Sequence, residues 1–238
     1  MAGNKVWLDV PFGDKDEAKS LGARWDPGAR RWYAPRPGIA GLERWAALAD
    51  VPDLLPGEDR SFGAGLFVDL VPRSCWFTNV RSCVSERDWE RLRRMITGRA
   101  GRRCEVCGQS EDRPAGRWLE AHERWAYDDA SRVQSLRRLI CLCTDCHTVT
   151  HFGLATVQGR DAQALRHLRA VTGLSAGDTD LLVEAAFELW SQRSRFEWAL
   201  DLGILTEAGV TVRRPPAAGE RAGAAAWELG VRADPPLP

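Results

Sequence analysis

The chain has no excess of charge of either sign: 33 lysines and arginines balance 33 aspartates and glutamates in 238 residues. Overall attraction to nucleic acid is therefore excluded, and any such affinity must come from local clusters. No apolar run is long enough to span a bilayer, and Met-Ala-Gly-Asn-Lys at the start lacks the apolar centre of a secretion signal. The expectation is a cytoplasmic protein without a membrane segment. No internal repeat is visible. Nor does a chain of this length need a disulfide scaffold to support its core.

Seven cysteines are present, and four fall in two Cys-x-x-Cys hooks, Cys104/Cys107 and Cys143/Cys146. This pattern fits a reducing compartment and thiolates bound to metal, with Cys75, Cys83 and Cys141 left as buried or free thiols. Each hook offers two thiolates at one corner of a tetrahedron, and zinc prefers such soft ligands. Gly108 suits the tight turn after the first hook. Residues 108–142 between the hooks are too many for a minimal zinc ribbon, so they must hold structure of their own.

That insert contains Trp118-Leu-Glu-Ala-His122-Glu-Arg-Trp125, a strand-like run. Alternation puts Glu120 and His122 on one face and Ala121 and Glu123 on the other. After the second hook, His147 and His151 stand four apart, the helical spacing that lets two imidazoles converge on a metal. His147 could instead cap the knuckle; His167, in an ordinary helix, is given no role.

The rest of the chain organises around this module. Residues 1–50 form a small unit: a strand at residues 6–10, a helix at 14–21, and two short aromatic strands folded by Asp26-Pro-Gly. Its Val10-Pro-Phe, Leu21-Gly-Ala-Arg-Trp-Asp26 and Trp32-Tyr-Ala-Pro35 resemble a small accessory domain attached to primase-like and other DNA-processing proteins of plasmids. Its tryptophans could stack on bases and Arg24, Arg30 and Arg31 touch phosphate, or the aromatics simply form a small core. A Pro/Gly-rich stretch, residues 51–65, reads as a linker. Residues 66–203 then hold a strand candidate at 66–71, an amphipathic helix over 85–97 with Ser85 as cap, the cysteine module, and helices over 161–171 and 179–200. Residues 204–238, rich in Pro, Gly and Ala from Arg213 on, are expected to form a mobile tail. The overall expectation is an α+β protein.

Arg91, Arg93, Arg94, Arg99, Arg102 and Arg103 run without an acid up to the first hook. They read as a phosphate-facing approach or as a solvated helix face and loop. Taken together, Cys104-x-x-Cys107, a strand carrying histidine, then Leu139-Ile-Cys-Leu-Cys143-x-x-Cys146-His147 and His151 resemble a zinc-stapled HNH (ββα-metal) nuclease over residues 104–153. The resemblance implies a β-hairpin on a helix with a metal between them. It places His122 as general base, His147 and His151 as ligands of a second divalent ion (Mg2+, Mn2+, Ni2+ or Zn2+), and structural zinc on the cysteines. Two positions depart from it. Active members usually have aspartate or histidine as a metal ligand just before the base, where this chain has Ala121, and asparagine five before the second hook, where it has Arg138. Glu120, Glu123 or Asp128 then become candidate oxygen ligands, and Glu123 an alternative base. The expected function is DNA phosphodiester hydrolysis, with Arg102, Arg103 and Arg138 steadying phosphate. The alternative is a degenerate module that binds nucleic acid or a protein partner without cutting, and a zinc enzyme acting on another substrate is a third reading. The N-terminal unit could also bind a protein partner.

Overall fold

A computed structural model of the chain describes residues 5–213 except Ala49 and Phe77. The fold is α+β. In the N-terminal unit β1 (Val6–Leu8), β2 (Arg24–Asp26) and β3 (Arg31–Ala34) form an antiparallel sheet ordered β1-β3-β2. Trp7 stands opposite Tyr33, and Trp25 opposite Trp32. The helix α1 (Lys15–Ser20) buries Ala18 against Leu8, Val10, Ala34 and Trp45, so this unit has a core of its own. The turn between β2 and β3 is held by the Asp26 carboxylate, which accepts the Ala29 N–H at 2.9 Å.

Residues 51–65 are not a free linker. Val51 and Leu55 are buried in the larger core, and the buried Glu58 carboxylate pairs with Arg99 at 2.6 Å and accepts the Leu139 N–H at 2.9 Å. Pro and Gly made the stretch look like a spacer; its two apolar side chains and one acid pin it. The strand expected over residues 66–71 is also corrected. The segment has no regular secondary structure and lies in neither sheet: Leu66 and Val68 are buried, and the Asp69 N–H goes to the Thr150 carbonyl.

The Ser85 hydroxyl accepts the Asp88 N–H and caps α3 (Glu86–Arg99), preceded by the single turn α2 (Val80–Cys83). Next come two long antiparallel strands, β4 (Leu119–Asp128) and β5 (Val133–Cys143), with a bulge at Arg124/Trp125. Side chains on β5 alternate between two cores. Leu139 and Cys141 meet Leu92 and Ile96 of α3; Ile140 and Leu142 meet Val149, Phe152 and Leu168 on the opposite side. Burial on both faces explains the unbroken apolar run at residues 139–143.

Chain direction then reverses into α4 (Thr144–Thr150), α5 (Phe152–Val157) and α6 (Asp161–Thr172), which cover that opposite face. The helix α7 (Ala176–Arg193) stops short of the expected residue 200. Ala199–Asp201 instead forms β6, parallel to β5 at its start. The tail expected from residue 204 begins as α8 (Gly203–Glu207), with Ile204, Leu205 and Val210 buried in the main core. Residues 214–238 lie outside the described residues. Among the described residues no helix is long and apolar enough to cross a membrane.

Candidate metal centre and active site

The hairpin and α4 bring two ligand clusters close in sequence and distinct in chemistry. Cys104 and Cys107 flank a turn closed by Gly108, whose φ of 72° is the left-handed region glycine favours. Cys143 ends β5 and Cys146 lies one turn into α4, so the second hook is the strand-to-helix corner itself. All four sulfurs lie within 4.8 Å of one another, with Cys107 Sγ 3.6 Å from Cys143 Sγ. Zinc–sulfur bonds of about 2.3 Å in a tetrahedron require sulfurs about 3.8 Å apart. The four cysteines can thus hold a metal ion such as zinc. Their protons are also unevenly shared. Hydrogen bonds from Cys143 and Cys146 hold the Cys104 thiol far below its usual value, while the bond to Cys104 pushes Cys143 up to about 12 and raises Cys146.

His167 was missed by sequence reasoning. From α6 its Nε2 reaches Cys146 Sγ at 3.2 Å, a contact across 21 residues that no local pattern announces. It supports a ligand from outside the cysteine set.

The second cluster is His122, His147 and His151, each offering a ring nitrogen within 4.8 Å of the others. Ring centroids are 5.2 Å apart for His122–His147, 4.8 Å for His122–His151 and 4.5 Å for His147–His151. His122 faces the α4 side of β4 because it pairs with Ile140, whereas Ala121 pairs with Cys141 and packs toward α3. His147 Nδ1 donates to Glu120 at 3.1 Å, leaving Nε2 free for a metal. Burial depresses all three imidazoles: His122 well below the ordinary histidine value, with His151 and His147 adding to it, His147 to about 4 and His151 to about 3. They are neutral at pH 7, the form that ligates.

His122, the expected base, therefore lies beside the two histidines expected as ligands, within reach of the same ion. Glu123 occupies the other face of β4, buried, accepting the Val80 N–H at 2.9 Å; burial pushes its carboxyl up to about 7. Both residues line one cavity of about 690 Å³, which takes side chains from both faces of β4, the edge strand, and none from β5. Asp128, the remaining oxygen-ligand candidate, instead holds the hairpin turn by accepting the Ala130 and Ser131 N–H groups.

The arginine run is engaged internally. Arg94 reaches the fully buried Asp9 at 2.6 Å, Arg99 pairs with Glu58, and Arg91 and Arg93 pair with Asp88 and Glu90 on their own helix. Burial alone would raise the Asp9 pKa; the Leu48 N–H, Arg94 and Arg31 leave it lowered. Arg102 donates to the Gly28 carbonyl and Arg103 to the Gly108 carbonyl. These bonds tie the N-terminal unit and the first hook to α3. Charges distant in sequence found partners, which a local count of acids misses. Arg138 is likewise corrected: it lies outside the histidine-lined cavity, buried, pairing at 2.7 Å with Glu105 inside the first hook. Glu105 also accepts the Cys141 N–H at 2.9 Å. Arg138→Ala should destabilise by about 1–3 kcal/mol, less than a fully orphaned buried charge costs, because Arg60 still reaches Glu105 at 3.1 Å. Urea melts check this, and a fall below about 1 kcal/mol would show that the pair holds nothing.

Residues 5–46 match a domain of unknown function, DUF5710. The chain is also similar to two Escherichia coli proteins, each described as DNA primase TraC. One is 41% identical over 56 residues, 23% of this chain and 5% of that protein; the other is 52% identical over 44 residues, 18% of this chain and 3% of that protein. The chain thus spans only a small fraction of the length of these relatives. No solved structure matches it.

Proposed function

We propose that the chain is a metal-dependent phosphodiesterase acting on DNA, with structural zinc on the four cysteines and a second divalent ion on His122, His147 and His151. The observation that carries this reading is the convergence of the three neutral imidazoles on a β-hairpin and helix next to the thiolate site. A divalent ion held there would offset negative charge on the phosphate and on the leaving oxygen.

The remaining roles belong to the chain's own side chains. In the nuclease fold that this module resembles, the proton acceptor follows the strand ligand directly. With His122 in the ligand place, that acceptor is Glu123, whose carboxyl titrates near 7 as a general base should. It takes a proton from water as the oxygen–phosphorus bond forms; the bond to the leaving oxygen breaks, and that oxygen is protonated from solvent. Glu120 orients His147. Similarity of the N-terminal unit to part of a DNA primase supports a DNA-processing setting, with this unit contacting DNA or a protein partner.

Internal pairing of Arg94, Arg99 and Arg138 withdraws them from phosphate and favours a second reading, a module that binds a protein partner without cutting. Metal titration joined to a cleavage assay separates the two. His122→Ala should lose the ion at the histidines, keep the cysteine-bound zinc, and cut DNA at least about 100-fold more slowly, the scale of losing one element of the catalytic set. A parent protein that binds the second ion yet cuts no DNA with Mg2+, Mn2+, Ni2+ or Zn2+ would favour the binding module.

A further inference from the structure

A site that only cradled a duplex backbone would need a shallow, polar, basic surface. The space beside the histidines is different. Away from His122, His147 and His151 the same cavity is walled by Trp76, Trp190, Phe187, Leu70 and Leu154. The indole N–H groups of Trp76 and Trp190 both donate to the Val71 carbonyl, at 2.8 and 3.1 Å. With those donors engaged, both indoles meet an entering group through ring carbon. Trp190 is held by Arg73 over its ring at 4.9 Å and by Phe187 edge-on, and the part-exposed Trp76 is the ring open to a ligand. Trp76 is 36% exposed and Leu154 39%, so apolar surface is left open at a site where water would otherwise sit. The shape suits a flat, apolar-faced group with a few polar edges, and Arg81 and Arg93 also line the cavity.

We infer that this chamber receives an unpaired nucleobase of a DNA strand whose neighbouring phosphodiester lies at the three histidines, so that the substrate is single-stranded or bulged DNA rather than continuous duplex. The inference rests on the phosphodiesterase reading above. A base in a duplex is held between its neighbours and its partner, and cannot enter a concave chamber without leaving the stack. An unpaired base enters without that penalty, and an aromatic wall holds any base, since each has a π-face.

The test uses the full-length, zinc-loaded protein and DNA oligonucleotides carrying the fluorescent base 2-aminopurine in a single strand, at a bulge, or inside a perfect duplex. Fluorescence change and affinity are expected for the first two and not for the third. Trp76→Ala should weaken single-strand binding roughly 5- to 150-fold, the loss of one base stack, and Trp76→Phe should restore most of it. Leu154→Trp, at a half-exposed position where folding is tolerant, should fill the chamber and weaken binding similarly. Cobalt absorption should show the histidine site intact in these variants. Equal affinity for perfect duplex, or unchanged binding in both Trp76→Ala and Leu154→Trp, overturns the inference. The two readings fail separately. Duplex cutting that is unchanged in Leu154→Trp leaves the phosphodiesterase and removes the base chamber. Trp76-dependent binding of unpaired bases without any cutting does the reverse.

Discussion

Cys104→Ser is expected to remove the proposed structural zinc and lower the melting temperature of the full chain by about 10 °C or more. Structural zinc contributes its binding free energy directly to folding, and in a chain of this size each kcal/mol moves the midpoint by about 2–4 °C. The hooks are where the fold is joined: the Cys104 N–H reaches the Gln109 carbonyl, Cys143 is the last residue of β5, and Cys146 is fully buried in α4. His147 follows Cys146 immediately, so loosening this corner should also scatter the histidines and abolish second-ion binding. Zinc content by elemental analysis and a thermal melt, with and without a strong chelator, test it together. A variant that kept its zinc and its melting temperature would remove the cysteines from the metal role.

What could be read in the sequence was local. The cap and spacing of α3 depend on Ser85 and on apolar positions within a few residues, and both hooks are four-residue patterns. Alternation along β4 put Glu120 and His122 on one face, and both meet His147. Illegible features depend on contacts between distant segments. Arg94 lies 85 residues from Asp9, and His167 lies 21 from Cys146. Residues 51–65 have a linker's composition, yet Val51, Leu55 and Glu58 lock them to α3 and β5. The functional consequence is largest at His122. The departure at Ala121 looked like a missing ligand, but that side chain turns toward the α3 core. With His122 beside the helix histidines, the next residue, Glu123, is the proposed proton acceptor.

Glu123→Gln is therefore the substitution that should divide chemistry from binding. Glutamine keeps the shape and still accepts the Val80 N–H, now received by Glu123 Oε1 at 2.9 Å. Cutting should fall by about 10²- to 10⁴-fold, the usual contribution of a general base, with affinity for the second ion and for DNA unchanged. In the parent, the cutting rate should rise with pH and level off above about 7, as Glu123 ionises; the variant should lose this inflection. Stability should move the opposite way. Burial raises the folded-state pKa of Glu123 from 4.5 to about 7, so its contribution is fully present below about 4.5 and is lost as pH rises through 7. The unfolded chain ionises this group first, and the folded state must carry a buried charge above 7, at a cost of about 3 kcal/mol by the conversion of 1.36 kcal/mol per pKa unit. Glu123→Gln should then be more stable than the parent at pH 8 and little different at pH 4. A buried carboxylate that costs stability at working pH is a candidate for a group held for chemistry, and the rate comparison decides it. If the variant instead cuts at the parental rate and loses stability at pH 8, Glu123 is a packing residue holding α2, and the proton acceptor lies elsewhere in the cavity.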